Sequence, residues 1–362
     1  MDGGDKGLKS PLFRVMNKQT KKMILTEYCA KSKEDDMIKR NLIKRVMAAG
    51  AIMAVTLSLA GCGIGGSSVK LGAAGVGGGY YAFFNAFAQI ASEADEDLDF
   101  EVKATAGSSA NIRLLSDGYV DMAIAQADLV DAAYNGTGAT DKKRYRGYSA
   151  VASLYTEACQ IVVRADSGID NLDDLQGKKI SVGEEESGTQ RNAEQILQMT
   201  GLVESLVDTV NLDYVDAANE LKSGQIDAFF CTAGIQTSVI EELSKECDVK
   251  LIGIDDKCRD RLKSVYGFYT DYTIPAGTYE GQDQDVETLG VRAVLLARDD
   301  MDEEIVEELT GLLFEHSQDI QYSIALTFQI DESEAVKNVT IPFHDGAKAY
   351  YQKKGIEIPA EQ

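Results

Sequence analysis

Residues 69–92 read VKLGAAGVGGGYYAFFNAFAQIAS, and this stretch predicts the start of the fold. A short apolar run from Val69 to Ala73 leads into a glycine cluster, after which apolar side chains recur at helical spacing from Tyr80 to Ala91. This order predicts a strand, a glycine loop and a helix. Because glycine lacks a side chain and the first N–H groups of a helix lack internal acceptors, such a loop can bring bare backbone against an anion.

The glycine loop matches known nucleotide-binding motifs poorly. Gly77, Gly79 and Ala82 satisfy a loose G-x-G-x-x-A, but the acidic residue that a dinucleotide site needs about 20 residues further on is missing. No G-K-[ST] follows the glycines, which excludes a P-loop. A tight strand-to-helix turn that binds no ligand is the alternative interpretation.

After this unit, strand-like and helix-like segments alternate, which predicts an α/β protein with largely parallel sheets. One of the predicted strands covers 210–215 and is followed by a helix over 216–223. The segments fall into two groups, and we place a hinge at residues 156–158, between the strand-like runs 148–155 and 159–164. A continuous apolar run at 288–298 is expected to return the chain to the first group.

We therefore expect two lobes. Lobe 1 consists of 69–160 and 288–362, and lobe 2 consists of 161–287.

The N-terminal segment is expected to be processing sequence. Residues 1–36 have no periodic pattern of apolar residues. They are interpreted as a disordered segment that results from a start codon assigned too far upstream. Residues 37–61 have the basic start, short apolar core and small final residues of a secretory signal peptide. Because Cys62 follows, the segment resembles a bacterial lipoprotein signal, with Cys62 lipidated and 62–68 as a tether. An N-terminal membrane helix left in place is the alternative.

Composition argues against several function classes. A formal net charge of −23 makes nucleic acid and anionic lipid surfaces poor partners. The chain has 2 histidines, which leaves few residues for a histidine-rich metal site or a Ser-His-Asp triad. Neither a metal nor a cofactor is therefore expected. Cys159 and Cys231 lie in apolar runs and are interpreted as buried hydrophobes. Free thiols are also expected at Cys247 and Cys258, and a disulfide between these two is the alternative.

The candidate ligand site lies at the carboxyl ends of the predicted strands, where loops lead into helices. In lobe 1 the candidate binding residues are Gly77, Gly78, Gly79, Tyr80, Tyr81, Ser108, Ser109, Gln126, Asp128, Tyr155 and Glu157, and in lobe 2 they are Ser187, Gly188 and Thr189. Hydroxyls and unpaired helical N–H groups from two facing lobes can hold a small carboxylate. For Ser108, Asp128 and Ser187, helix capping is the alternative role.

The three acids at 184–186 oppose a carboxylate. They are interpreted either as a solvated loop or as contacts for a positive group, such as the ammonium of an amino acid, which could also meet Glu157 or Asp128.

Several motifs spread over the chain after Cys62 resemble one family. They are GVGGGYY at 75–81, AGSSANIRLL at 106–115, AIAQAD at 123–128, YNGTG at 134–138, SGTQRNAEQIL at 187–197, IPAGTY at 274–279 and IPFHDGA at 341–347. With these motifs the chain resembles the TAXI family of solute-binding proteins of tripartite ATP-independent periplasmic (TRAP) transporters.

The resemblance implies a periplasmic-binding-protein type II-like fold, with two hinged α/β lobes and a ligand cleft between them. It also adds Gly277 and Thr278 to the candidate site. The implied function is that of an extracytoplasmic, lipid-anchored receptor without catalysis, which binds glutamate, glutamine or a related carboxylate and delivers it to the membrane subunits of a TRAP permease.

Two other functions on the same fold are alternatives. One is a sensory solute-binding subunit. The other is an enzyme, although neither a nucleophile with a base partner nor a metal cluster is visible in the sequence. Cys159 and the acids at 184–186 depart from the family pattern.

Overall fold

The computed structural model describes residues 68–138, 141–203, 205–324 and 330–359. The predicted start segment, the signal peptide and the lipidation site at Cys62 lie outside these ranges. Within them, no helix is both long and apolar enough to cross a bilayer.

The described strands and helices alternate along most of the chain. The strands are β1 Val69–Gly72, β2 Phe100–Lys103, β3 Met122–Gln126, β4 Tyr148–Arg164, β5 Lys179–Ser181, β6 Asp208–Val210, β7 Ala228–Ala233, β8 Val249–Leu251, β9 Thr270–Ile274 and β10 Val286–Arg298. The α-helices are α1 Gly79–Ala94, α2 Ser108–Ser116, α3 Ala127–Asn135, α4 Gly188–Thr200, α5 Tyr214–Ser223, α6 Ser238–Glu246, α7 Asp256–Val265, α8 Glu303–Glu315, α9 Ser317–Ile324 and α10 Asp345–Lys354.

The strands form one sheet in the order β2-β1-β3-β10-β4-β7-β5-β6, with β8 beside β4 and β9 beside β10. Pairing is parallel at the two ends of the sheet, as predicted. In the middle it is antiparallel, because the long strands β4 and β10 run against each other and against their outer neighbours β3 and β7.

Strand β4 corrects one prediction. The predicted interruption at 156–158 is wrong, since β4 runs unbroken from Tyr148 to Arg164. The reason is a long-range pairing: residues 156–158 lie in register with Gly290, Val291 and Arg292 of β10.

Buried side chains form two groups along these long strands. The first core contains the side chains of Phe83, Phe84 and Phe87, and draws on 69–155 and 293–351. The second core, drawn from 159–291, consists of two clusters on opposite faces of the sheet. Successive residues Phe229 and Phe230 fall in different clusters because neighbouring side chains of a strand point to opposite faces. Both β4 and β10 pass from one core to the other.

Three helix starts differ from the predictions. Ser108 is not a cap, because Gly107 holds the cap position of α2 and the Ser108 Oγ accepts instead from the N–H of Gln126 at 3.1 Å. Asp128 is not a cap, because α3 begins at Ala127 directly after β3 and places Asp128 in its first turn. The strand predicted over 210–215 ends at Val210, and Asp213 then caps α5 by accepting a hydrogen bond from the N–H of Asp216 at 2.8 Å.

The described cysteines are all free. Cys159, Cys231 and Cys258 are buried, and Cys247 is partly buried. The predicted free thiols at Cys247 and Cys258 are therefore confirmed, as is the burial of Cys159 and Cys231.

Candidate functional site

A cavity of about 40 Å³ lies between residues of the first core and residues of the second. Four helices begin at its wall: Gly79 of α1 and Ser108 of α2 on one side, and Gly188 of α4 and Tyr214 of α5 on the other. The first N–H groups of a helix lack internal acceptors and carry a partial positive charge. The wall is therefore suited to a negatively charged group.

Acidic side chains also line the cavity. Glu157, Glu184 and Asp213 line it, and no lysine or arginine is present among its described lining residues. Such a lining disfavours a solute with negative charge alone. A solute that has a carboxylate and an ammonium group would meet partners for both.

Of these acids, Glu157 is buried, whereas Glu184 and Asp213 are partly exposed. The exposed fraction of Glu157 is 2%, and burial raises the pKa of its carboxyl from 4.5 to about 8. The hydroxyl of Tyr80 donates a hydrogen bond to Glu157 Oε2 at 2.5 Å, which opposes this shift in pKa. Without a positive partner, the carboxyl is therefore mostly protonated at neutral pH.

Gln126 and Gly188 lie close together at the cavity. Gln126 is buried, and its Nε2 donates to Asn192 Oδ1 of α4 at 3.0 Å. A Cβ atom on Gly188 would lie 2.5 Å from Cδ of Gln126, so glycine is required for this approach. Oε1 of Gln126 is buried without a hydrogen-bond partner among the described residues. Since Gln126 lines the cavity, this unpaired oxygen is a candidate acceptor for a solute N–H group.

Thr189 stabilises the wall formed by the second core. Its Oγ1 lies 2.6 Å from the hydroxyl oxygen of Tyr214 and accepts a hydrogen bond from the N–H of Thr232 at 3.2 Å. This hydroxyl therefore connects α4, α5 and β7 within the protein.

Most of the predicted site residues lie at this cavity. They are Gly78, Gly79, Tyr80, Ser108, Gln126, Glu157, Ser187, Gly188 and Thr189. Ser187 is also the cap of α4, because its Oγ accepts from the N–H of Gln190 at 2.9 Å.

The structure places the other predicted residues elsewhere. The carbonyl of Gly77 accepts from Ser238 Oγ at 3.2 Å, and Tyr81 lies outside the cavity lining. Tyr155 is buried in the first core against Phe83.

Ser109 and Asp128 line a wider groove of about 690 Å³ that shares Ser187 with the cavity. Burial raises the pKa of Asp128 to about 6. Gly277 and Thr278 lie in a surface loop, where Thr278 Oγ1 donates to the carbonyl of Pro275 at 2.6 Å.

Sequence reasoning missed Asp213, Tyr214 and Thr232 and did not assign Glu184 to the site. The first two were hidden by the strand predicted over 210–215. An Asp followed three residues later by a second acid is a helix-start signal that would have revealed them.

A model of the NMT1-like family matches residues 71–355. The protein belongs to the NMT1-like family.

Three solved structures are similar to this NMT1-like protein. MatC from Rhodopseudomonas palustris with bound malate has a TM-score of 0.53 and 14% identity, covering 74% of this chain and 91% of that chain. The alkanesulfonate-binding protein SsuA from Xanthomonas axonopodis pv. citri bound to MOPS has a TM-score of 0.44 and 14% identity, covering 71% and 78%. The periplasmic aliphatic sulphonate binding protein SsuA from Escherichia coli has a TM-score of 0.41 and 13% identity, covering 79% and 83%.

The NMT1-like protein has the mixed α/β fold of periplasmic-binding-protein type II-like proteins, and this confirms the predicted fold class. The narrower TAXI assignment stays a prediction.

Proposed function

We propose that this NMT1-like protein is an extracytoplasmic solute receptor of the TAXI type. It binds a small carboxylate that also carries an ammonium group, such as glutamate or glutamine, and delivers it to the membrane subunits of a TRAP permease. The first core with its flanking segments is lobe 1, 69–160 and 288–362, and 161–287 is lobe 2. The lipid at Cys62 anchors the receptor to the membrane.

The observation that carries this proposal is the pairing of helix starts with a buried acid around one cavity. The helix starts supply N–H groups for the solute carboxylate. Glu157 supplies a carboxylate for the ammonium, and Gln126 Oε1 supplies an unpaired acceptor. A dicarboxylate would place a second negative charge near Glu184 and Asp213, and next to Glu157 whenever that carboxyl is ionised.

The size of the cavity requires the lobes to move. A volume of about 40 Å³ holds roughly three water molecules, which is less than an amino acid needs. The lobes must therefore separate to admit the solute and close over it again. Since β4 and β10 connect the two cores, they form the proposed hinge.

A TRAP permease as partner is supported by the resemblance to the TAXI family. The motifs that carry this resemblance spread over nearly all of the chain after Cys62. The L-A-G-C sequence at 59–62 supports the anchor.

The test is calorimetric titration of the purified protein with L-glutamate, L-glutamine and malate between pH 6 and pH 9. Glu157 must lose its proton to meet an ammonium group. The affinity for an amino acid should therefore rise about tenfold per pH unit well below a pKa of about 8, then level off.

Other titratable groups lie near Glu157 and can affect the pH dependence of affinity. They are Tyr80, Asp128, Tyr155, Cys159, Glu184, Asp213, Tyr214 and Cys231. Burial raises the pKa values of the tyrosines and cysteines, so they stay protonated over this range. Asp128, with a pKa of about 6, titrates at the low end of the range, and Glu157 titrates near pH 8.

If malate bound and its affinity increased towards low pH, the solute would be a dicarboxylate held by protonated Glu157. If none of the three solutes bound, the proposed solute class would be wrong.

A further inference from the structure

Glu186, in the loop before α4, contacts the start of α2 on the opposite side of the cleft. Its carbonyl oxygen accepts hydrogen bonds from the N–H groups of Ser109 at 3.1 Å and Ala110 at 3.2 Å. The cap position of α2 is Gly107, which has no side chain to accept such bonds. The cap of α2 therefore comes from the second lobe.

The side chain of Glu186 adds an ion pair to the same helix. Arg113 donates from Nε to Oε1 at 3.0 Å and from Nη2 to Oε2 at 2.7 Å. Such a bidentate ion pair fixes the relative orientation of the two side chains and is also energetically favourable. The exposed fractions are 38% for Arg113 and 45% for Glu186, so the pair by itself contributes modestly.

The backbone is shaped for this contact. Glu186 has φ 65°, in the left-handed region that residues with a side chain seldom adopt. Its N–H donates to Gln190 Oε1 at 3.1 Å, which holds the turn. A Cβ atom on Gly107 would lie 3.3 Å from Cα of Ser187, so the two backbones meet closely here.

We propose that Glu186 is a closure latch, which caps α2 only when the two lobes are together and so stabilises the closed receptor. This inference rests on the proposed two-lobed function. It also assigns the N–H groups of Ser109 and Ala110 to the latch. The solute carboxylate then meets the starts of α1, α4 and α5.

The test is residue-resolved amide hydrogen exchange on the full protein without solute. First-turn N–H groups have no intrahelical acceptor, so protection at Ser109 and Ala110 requires the carbonyl of Glu186. Arg113→Gln and Glu186→Gln should each reduce this protection roughly two- to fivefold. The double variant Arg113→Glu with Glu186→Arg should restore part of it.

A matched control is the pair of Lys222 with Glu246, which joins two helices of lobe 2 at 2.7 Å and is also exposed. Glu246→Gln should leave exchange at Ser109 and Ala110 unchanged.

The latch is refuted if the wild-type Ser109 and Ala110 amides exchange as fast as those of an unstructured peptide. It is also refuted if the Arg113 and Glu186 variants exchange like wild type. Since no solute is added, either result is distinct from a failure of L-glutamate to bind, which would contradict the proposed function alone.

Discussion

The Tyr80 hydroxyl and Glu157 Oε2 are 2.5 Å apart, although the two residues are separated by 77 positions in the chain. Tyr80 lies on α1, and Glu157 lies on β4 where that strand passes between the two cores. The pair joins the glycine-loop helix to the strand that we propose as part of the hinge. The hydrogen bond therefore connects a helix that begins at the cavity to the strand that passes between the two cores.

Replacing Glu157 with glutamine should change both the stability of the protein and the pH dependence of its affinity. Folding raises the pKa of this carboxyl from 4.5 to about 8, so between these values the folded protein holds a proton that the unfolded chain has lost. The contribution of Glu157 to the free energy of unfolding therefore decreases as pH rises through this window. Glu157→Gln should make the solute-free protein more stable than wild type near pH 8 and abolish the pH dependence of L-glutamate affinity.

Urea denaturation at pH 5 and pH 8, with titration at both values, measures these two effects. A variant that binds L-glutamate with the wild-type pH profile would show that another group titrates.

Replacing Tyr80 with phenylalanine should move the pH profile. Its hydroxyl favours the ionised form of Glu157, so its loss raises the pKa of that carboxyl further. The midpoint of the affinity profile should shift to higher pH. The affinity for L-glutamate should fall more below that midpoint than above it. Tyr81→Phe is the control, because Tyr81 lies outside the cavity lining, and it should leave the midpoint in place.

Replacing Gly188 with alanine should weaken solute binding by forcing the lobes apart. The added Cβ would lie 2.5 Å from Cδ of Gln126, which is buried and held by Asn192. We expect the affinity to fall about tenfold or more, since steric overlap in a packed site costs about 1–3 kcal/mol.

The rescue and control for this variant are direct. Gln126→Ala in the Gly188→Ala background should relieve the overlap, and part of the lost affinity should return. Gly267→Ala serves as the control, because a Cβ there meets no atom within 4 Å. Equal losses of affinity in Gly188→Ala and Gly267→Ala would argue against a role of the contact between Gly188 and Gln126.

Replacing Ser187 with alanine should act through the helix cap. Its Oγ accepts from the N–H of Gln190, so the loss should lower the free energy of unfolding by about 1 kcal/mol and leave affinity unchanged. Chemical denaturation and titration of the same preparation measure both. A variant with wild-type stability but weaker binding would instead assign the hydroxyl to the solute.

Local signals were sufficient where an element depends on nearby residues. The cap at Ser187 and the end of α3 at Gly136, which has φ 69°, were both predictable, because capping geometry involves residues within about one turn. The same kind of reasoning failed at 210–215. There we predicted one strand, but the pairing of β6 with β5 ends at Val210 and the cap at Asp213 starts the helix.

The sequence by itself determined the alternation of strands and helices, the glycine loop, the caps and most of the polar residues at the cavity. These follow from periodicity and from residue types that act over a few positions. Only the tertiary structure decided that β4 is continuous, that Glu157 is buried against Tyr80, and that Glu186 caps α2. These contacts join residues far apart in the chain, and the pairing of the two long central strands brings them together.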